Sequence, residues 1–292
     1  MKKGILSILT CYILWGLLPI FWKLLASVNS TYVLASRMTW SLIFCMIIIL
    51  FKRRFHIVRD LMQDKKTCLY LLLCGVLVST NWGLYIYTVN SGHIIEGSFA
   101  YYIYPIFSIL IGTIFYKERL TLLQWFSVII ATTGVLISIV GYGTVPFLSL
   151  MLALTFAVYG ALKKKVTISS EISVYMETFF LVPFSLVFII FSEIHHFGSI
   201  GILTGGQFLL LPLSGLVTTI PLLLFAKGIR ETPLSLSGIL MYLNPTLQLL
   251  VGVFVFHETF TKLNGITFGF IWVAIALFIA DSILTQKKSI SQ

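Results

Sequence analysis

The stretch YIYPIFSILIGTIFYKERLT at residues 102–121 has a second version, YLNPTLQLLVGVFVFHETFT, at residues 242–261. Both follow the pattern Y-x-x-P-x6-G-x5-E-x-x-T, and a shift of 140 residues aligns them. The same shift pairs Gly75 with Gly215. Because these matches are not the aliphatic ones that any two apolar helices share, they predict an internal duplication. The two predicted units span residues 1–142 and 143–292.

The chain around these stretches is strongly apolar. Hydrophobic residues make up 58% of its 292 residues and charged residues only 10%, and the mean hydropathy is +1.00. Soluble domains carry roughly 25% charged residues. Apolar runs of roughly 20 residues instead suit helices that cross a ~30 Å hydrocarbon layer. Run length and Gly/Pro positions predict ten such helices, near 4–26, 32–51, 68–89, 94–116, 121–140, 145–162, 173–192, 208–228, 234–256 and 263–282.

Basic residues are distributed unevenly between the predicted loops. With both termini in the cytoplasm, 17 of the 20 Lys and Arg residues lie on the cytoplasmic side, six of them at 52–66. The positive-inside rule therefore predicts an inner-membrane protein with an even number of spans. Loops near 141–144 and 195–205 are then external. The first apolar segment has no small-residue cleavage site, so we interpret it as a retained helix rather than a signal peptide.

Each predicted unit has five helices, and an odd number makes the second unit enter the membrane from the other side. The fold class predicted is therefore all-α and polytopic, with ten transmembrane helices in two inverted five-helix repeats. Inverted repeats are a signature of secondary transporters, whose substrate sites lie near the midplane between the repeats.

Other function classes find little support in the sequence. The net charge of +10 lies in short runs between apolar segments and does not indicate nucleic-acid binding. The four cysteines lack CxxC spacing, and His195 and His196 lack partners for a metal site, so no metal or cofactor is expected. Walker, H-E-x-x-H and G-x-S-x-G motifs are also absent, which disfavours an ATP pump or an enzyme.

Charged residues inside predicted membrane helices are candidate site residues, because they are costly there and usually face a cavity or a partner. Lys23, Arg37 and Glu96 fall in the outer half, whereas Glu177, which the 140-residue shift pairs with Arg37, falls in the inner half. Arg37 and Glu96 are predicted to form either a gate or a structural pair. Alternatively, the cations attract an anionic or zwitterionic substrate, and a glutamate carries a coupling proton.

Polar and aromatic residues away from the interfaces are further candidates. Asn81 lies deep in the third predicted helix. Aromatic walls suit an amphipathic or ring-bearing substrate, although packing is the commoner explanation for any single ring. The candidates for substrate binding are Trp15, Trp40, Tyr85, Tyr102, Tyr159 and Tyr242, with Trp82, Tyr101 and Tyr104 in the same aromatic set.

Pro105 and Pro245 occupy matched positions in the two units and are predicted to act as hinges, each freeing the carbonyl four residues earlier. Gly265 and Gly269 form G-x-x-x-G on the tenth predicted helix. That spacing allows close helix packing, either within the bundle or in a homodimer.

Six motifs along the whole chain carry a family resemblance. They are Y-x-L-W-G-x-x-P from Tyr12, N-W-x-L-x-I from Asn81, E-x-S-x-x-Y-x-I-x-P from Glu96, Y-G-x-x-K-K from Tyr159, T-T-x-P-L-L from Thr218 and F-I-W-x-A from Phe270. Together they resemble the EamA-type transporters of the drug/metabolite transporter superfamily, most closely the RarD branch, named for chloramphenicol sensitivity. The resemblance implies a ten-helix inverted-repeat fold, with the fifth and tenth helices peripheral to a central cavity.

These observations predict a secondary transporter that exports a small drug-like compound or metabolite by alternating access. An importer of an amino-acid-like or nucleoside-like metabolite is the first alternative. A membrane-embedded enzyme or a channel is the alternative from another class.

Overall fold

The computed structural model describes residues 2–90, 94–143, 147–257 and 259–290, and their regular structure is helical apart from one isolated bridge between Ile200 and Leu203. Thirteen α-helices follow in this order: α1 Lys2–Lys23, α2 Ser30–Phe51, α3 Phe55–Leu61, α4 Lys65–Asn90, α5 Ile94–Phe115, α6 Leu122–Tyr142, α7 Phe147–Lys165, α8 Ser170–Phe179, α9 Val182–Ile194, α10 Leu210–Glu231, α11 Leu234–Leu240, α12 Leu243–Val255 and α13 Lys262–Ile290. A short 3-10 helix, Gly205–Leu209, precedes α10.

Eight helical segments in the described part are long and apolar enough to cross a membrane, and the bent pair α8 and α9 makes a ninth. The described apolar stretch Ala100–Phe115 of α5 is shorter. Every predicted helix corresponds to helical structure, and the ends agree within about three residues except at the tenth, where α13 continues to Ile290, beyond the predicted end at residue 282. Large apolar side chains such as Phe115, Val140 and Phe184 are exposed on the surface of the bundle. Such a surface suits lipid rather than water.

Two of the predicted helices are broken. The seventh consists of α8 and α9, bent by 52°, and the ninth consists of α11 and α12. Proline removes an N–H and its ring clashes with the carbonyl four residues earlier. That residue is Phe179 for Pro183 and Met241 for Pro245, and each break lies there. Pro105, in contrast, lies inside the unbroken helix α5.

Helix α3 was not predicted from the sequence. This seven-residue helix lies within the basic segment 52–66, which we had interpreted as a loop. Asp64 immediately precedes the next helix, α4, and its carboxylate accepts hydrogen bonds from the amides of Lys66 and Thr67 and from the Thr67 hydroxyl. These hydrogen bonds lower the pKa of Asp64.

Helix packing joins the two halves of the chain. α1 contacts α10 and α12, and α7 contacts α4 and α5. α2 packs on α10, and α8 packs on α4. α6 and α13 pack mainly on each other. They correspond to the fifth and tenth predicted helices, and they lie outside the main bundle as the resemblance implies.

The two ends of the bundle differ in charge. The end of α2 lies beside the start of α8, where Lys52 contacts Glu171, and the end of α7 lies beside that of α10, where Lys164 donates to the carbonyl of Thr232. We call this end the basic face and the other end the opposite face. Lys23 and Tyr32 belong to the opposite face. Of the four thiols, those of Cys11, Cys45 and Cys74 are buried.

Candidate functional site

A cavity of about 160 Å³ lies between the two halves of the chain. Seven of the ten predicted helices contribute to it, and they supply mostly aromatic and apolar side chains with a few polar ones. The lining residues are Trp15, Leu18, Pro19, Trp22, Arg37, Asn81, Trp82, Tyr85, Ala100, Tyr101, Tyr104, Leu152, Ala153, Phe156, Thr218, Met241, Asn244 and Gln248.

The cavity lies toward the opposite face. Trp22 is in the last turn of α1, whereas Tyr101 and Leu152 are in the second turns of α5 and α7. Each of these helix ends belongs to the opposite face. The cavity therefore occupies the half of the bundle remote from the basic face.

A cluster of aromatic rings closes the cavity toward the basic face. We call it the aromatic plug, and it consists of Tyr12, Trp15, Tyr104, Phe156, Tyr159 and Phe225. Phe156 is at its centre, with ring centroids 5.1 Å from Tyr104, 5.5 Å from Phe225 and 5.6 Å from Trp15. Tyr159 stacks on Phe225 at 5.7 Å. Most of these rings are fully buried, so no path for a solute passes through the plug in this conformation.

A buried polar cluster lies between the plug and the basic face. Lys163 forms an ion pair with Glu177, and their side chains are 1% and 4% exposed. Ser173 accepts from Lys163 at 2.8 Å and donates to Glu177 at 2.9 Å. Tyr159 donates to the other carboxylate oxygen at 3.2 Å. Both the ammonium and the carboxylate of the ion pair thus make further hydrogen bonds, which a buried pair needs to offset the loss of hydration.

Other contacts hold the basic face together. The Tyr12 and Ser237 hydroxyls lie 2.8 Å apart. Glu118 follows α5 and accepts from the amides of Leu234 and Ser235 at 2.7 and 2.9 Å. Since these are the first residues of α11, Glu118 caps a helix of the other half of the chain.

Arg37 occupies a different environment, within the cavity wall. Its guanidinium carbon lies 4.2 Å from the centroid of the Trp82 ring and 5.3 Å from that of Trp22. Its Nε is buried and makes no hydrogen bond to any group that the structure describes. Arg37 is thus a cation between two indole rings, without a carboxylate partner among the described side chains.

Four uncharged polar residues also line the cavity. The Asn81 amide is held by the Leu152 carbonyl at 2.7 Å and the Thr155 hydroxyl at 3.1 Å. The Gln248 amide donates to the side-chain oxygen of Asn244 at 2.8 Å. Thr218 donates to the backbone of its own helix.

The structure brings together only some of the predicted site residues. Trp15, Arg37, Asn81 and Tyr85 line the cavity, and Tyr159 and Glu177 lie below it. The side chain of Glu96 falls outside the described part of the chain, so its pairing with Arg37 stays a prediction.

The remaining candidates lie away from the cavity. Lys23 sits over the Phe256 ring at 4.3 Å, and Trp40 packs beside Phe44 on α2. Tyr242 donates to the carbonyl of Tyr102 at 3.0 Å, and Tyr102 also packs on Phe268 of α13. These four residues stabilise helix contacts around the cavity.

Several lining residues were not predicted. Asn244 and Gln248 are four residues apart on an otherwise apolar helix, a spacing that places both on one face and that could have identified them. Thr218 lies in one of the quoted motifs. Trp22 and Phe156 carry no local signal that separates them from other aromatic residues. In the described part of the chain, no group of three His, Cys, Asp or Glu residues could hold a metal ion.

Comparison with known proteins identifies the family. The EamA-like transporter family matches residues 2–140 and again residues 144–280. The uncharacterized transporter YojE of Bacillus subtilis (strain 168) is 41% identical over 291 residues, covering 99% of this chain and 97% of that protein. Protein RarD of Escherichia coli (strain K12) is 34% identical, again with 99% and 97% coverage.

A solved crystal structure has the same fold, with a TM-score of 0.72 at 16% identity and coverage of 95% of this chain and 97% of the other. The resemblance seen in the sequence motifs is thereby confirmed. The chain is a multi-pass membrane protein that belongs to the EamA-like transporter family, in its RarD branch.

Proposed function

We propose that the chain is a secondary transporter that exports a small drug-like compound or metabolite by alternating access through the central cavity. The observation that carries the proposal is the aromatic cavity toward the opposite face, closed by the aromatic plug toward the basic face. A cavity accessible from one side at a time is the requirement for alternating access. An importer would use the same cavity in the other direction, so import remains the alternative.

We also propose ten membrane spans arranged as two inverted repeats, with the basic face in the cytoplasm. Two observations support the repeat. The family matches the chain twice, and the shift of 140 residues converts the contacts of α1 with α10 and α12 into those of α7 with α4 and α5. The concentration of Lys and Arg supports cytoplasmic termini and the inner membrane.

In this mechanism Pro105 and Pro245 would be hinges. The break at Met241 and Tyr242 supports this role for Pro245, because a broken helix can bend without losing further hydrogen bonds. α5 would then bend at Pro105 when the cavity changes sides. A coupling proton is a further part of the proposal, for which Glu96 and Glu177 are the candidates.

A homodimer through α13 is a separate proposal. A methyl group added at Gly269 would meet no atom within 4 Å, whereas one at Gly265 would contact Phe260 at 3.4 Å. The Gly269 surface is thus available for a second copy or for lipid.

Flux through the purified chain in liposomes tests the proposed function. Labelled chloramphenicol, amino acids and nucleosides would be measured in both directions, with and without a pH gradient. We expect saturable flux of at least one compound, lost in Ala153→Phe, which fills the cavity, and retained in Val140→Phe on the exposed surface of α6. Flux no greater than in empty liposomes for the whole panel, or full flux in folded Ala153→Phe, would reject the proposal.

A further inference from the structure

Among the described residues that line the cavity, Arg37 is the charged one. It lies about two turns into α2 from the opposite face, between Trp22 of α1 and Trp82 of α4. Because three helices form this arrangement, the guanidinium is held in place by the fold and not by one flexible loop.

The described acidic side chains that form ion pairs or hydrogen bonds do so elsewhere. Glu177 and Glu171 pair with cations near the basic face, and Glu193 accepts hydrogen bonds from Ser199 and Ile200. Within the described side chains, the charge of Arg37 is therefore balanced only by the faces of indole rings.

Indole faces stabilise a cation but leave its N–H groups without acceptors. A guanidinium has five N–H donors in a planar fork, which matches the two oxygens of a carboxylate. A buried Nε without an acceptor, together with a cavity beside it, fits a group whose partner arrives from outside the chain. Charged residues kept inside membrane proteins generally serve such a role.

The rest of the cavity indicates the remaining part of the ligand. Trp15, Tyr101 and Phe156 provide aromatic faces, which suit an apolar or ring-bearing body. Asn244 and Gln248 lie at the other side of the cavity, where the Gln248 side-chain nitrogen donates to the Asn244 side-chain oxygen. The remaining amide atoms, the Asn244 nitrogen and the Gln248 oxygen, have no hydrogen-bond partner among the described groups. They can pair with a polar substituent.

We propose that Arg37 binds the carboxylate of a small organic acid whose apolar body lies against the aromatic wall of the cavity. This inference rests on the proposed function, since it makes the same cavity the substrate site and specifies the substrate class. A purely structural role for Arg37, with Trp22 and Trp82 as packing partners, predicts no preference for acids.

Binding to the purified protein in detergent tests the assignment without requiring transport. The probes are two acid and amide pairs: phenylacetate with phenylacetamide, and 3-phenylpropanoate with 3-phenylpropanamide. Quenching of tryptophan fluorescence and the shift in melting temperature would be measured for each. Within a pair the body of the ligand is constant, and only the carboxylate changes.

Three variants locate the effect. Arg37→Gln removes the charge, and Arg37→Lys keeps the charge but loses the fork. Lys23→Gln makes the same change of charge at the opposite face but away from the cavity, beside Phe256. A charge-assisted hydrogen bond corresponds to a factor of about 10 to 100 in affinity.

We expect acids to bind about 10 to 100 times more tightly than amides in the unmodified protein and in Lys23→Gln. The ratio should fall to near one in Arg37→Gln and take an intermediate value in Arg37→Lys. Equal binding of acids and amides by the unmodified protein, no binding of either acid, or a preserved ratio in Arg37→Gln would each overturn the assignment. Flux in liposomes without acid selectivity would overturn this inference and leave the proposed function standing.

Discussion

Two pairs of positions that are separated by 140 residues hold very different chemistry. Lys163 and Glu177 form a buried ion pair near the basic face. The corresponding residues are Lys23 and Arg37, both cations, toward the opposite face. Lys23 lies over the Phe256 ring and Arg37 over Trp82. The proposed repeat thus places related positions at both ends of the bundle, and among the described side chains the pair near the basic face is neutralised whereas Lys23 and Arg37 are not.

This difference in charge parallels a difference in closure. Near the basic face, the aromatic plug and the Lys163–Glu177 pair fill the space between the helices. Toward the opposite face, the equivalent space is the cavity. We infer that the ion pair stabilises the conformation closed at the basic face, whereas Arg37 in the cavity wall is available to a solute.

The largest effect should follow from breaking the ion pair. Glu177→Leu leaves the buried Lys163 ammonium without a carboxylate, beside the Ser173 hydroxyl and the Tyr159 ring, which should cost about 3 to 5 kcal/mol of stability. Glu177→Leu combined with Lys163→Met should cost much less, because no buried charge remains. Melting temperatures and denaturant unfolding in detergent, measured for both single variants and the double variant, would give the interaction free energy between Lys163 and Glu177.

The Lys52–Glu171 pair of the same face, whose cation is half-exposed, is the control. Lys52 contacts Glu171, and the Lys52 side chain is 50% exposed, so Lys52→Met should cost less than about 1 kcal/mol. Additive losses for Glu177→Leu and Lys163→Met would contradict the described pairing.

The second prediction concerns a feature that both halves share, namely close helix packing at glycine. A methyl group at Gly75 would come 2.8 Å from the carbonyl oxygen of Glu177, and one at Gly215 would come 2.8 Å from the carbonyl carbon of Trp40. Both contacts are with backbone, which cannot move aside without shifting a helix. We expect Gly75→Ala and Gly215→Ala each to lose about 1 to 3 kcal/mol.

Gly83 is the matched control, because an added methyl group there meets no atom within 4 Å. Gly83→Ala should be neutral or stabilising by up to about 1 kcal/mol, since alanine favours helix. If all three substitutions had the same effect on melting temperature, helix propensity rather than packing would be responsible.

A third, smaller effect should come from Glu118, which caps α11 at the basic face. Its counterpart after the 140-residue shift, Glu258, lies outside the described residues. Glu118→Ala removes the acceptor of the Leu234 and Ser235 amides and should cost about 1 kcal/mol. Amide hydrogen exchange in residues 234–240 should become faster. The exposed Asp60→Asn substitution is the control, and unchanged exchange in Glu118→Ala would show that the cap does not hold α11.

The fold was largely predictable because the period and length of apolar runs determine membrane helices. The prediction failed where a proline interrupts a span. The break beside Pro245 follows from the loss of a hydrogen bond at the carbonyl four residues earlier, that of Met241, as the proline pattern predicts. Pro183 has no such match in the first unit, and no break was predicted there. Helix α3 was missed because seven residues among charges carry no signal that separates a short helix from a loop.

The site was less predictable, for a reason specific to membrane helices. When a helix is apolar all round, its sequence does not indicate which side faces the cavity. Charged and amide residues are exceptions, and Arg37 and Asn81 both line the cavity. The nine aromatic candidates divide into two groups. Five of them line the cavity, namely Trp15, Trp82, Tyr85, Tyr101 and Tyr104. The other four are Trp40, Tyr102, Tyr159 and Tyr242.

The smallest effect on stability is expected at Arg37, and this sharpens the contrast with Lys163. Arg37→Met removes a cation that is stabilised by Trp82 at 4.2 Å and Trp22 at 5.3 Å but has no carboxylate partner among the described side chains. Loss of the cation–π contacts costs about 1 to 2 kcal/mol, and relief from burying the charge offsets it. Arg37→Met should therefore change the free energy of unfolding by no more than about 1 kcal/mol, with a correspondingly small shift in melting temperature, whereas Glu177→Leu should lower the melting temperature strongly.

A loss of about 3 to 5 kcal/mol in Arg37→Met would instead mean that the substitution leaves a buried charged partner of Arg37 unpaired. In that case the Arg37–Glu96 pair predicted from the sequence would be favoured, and the Arg37→Met, Glu96→Leu double variant would recover most of the loss.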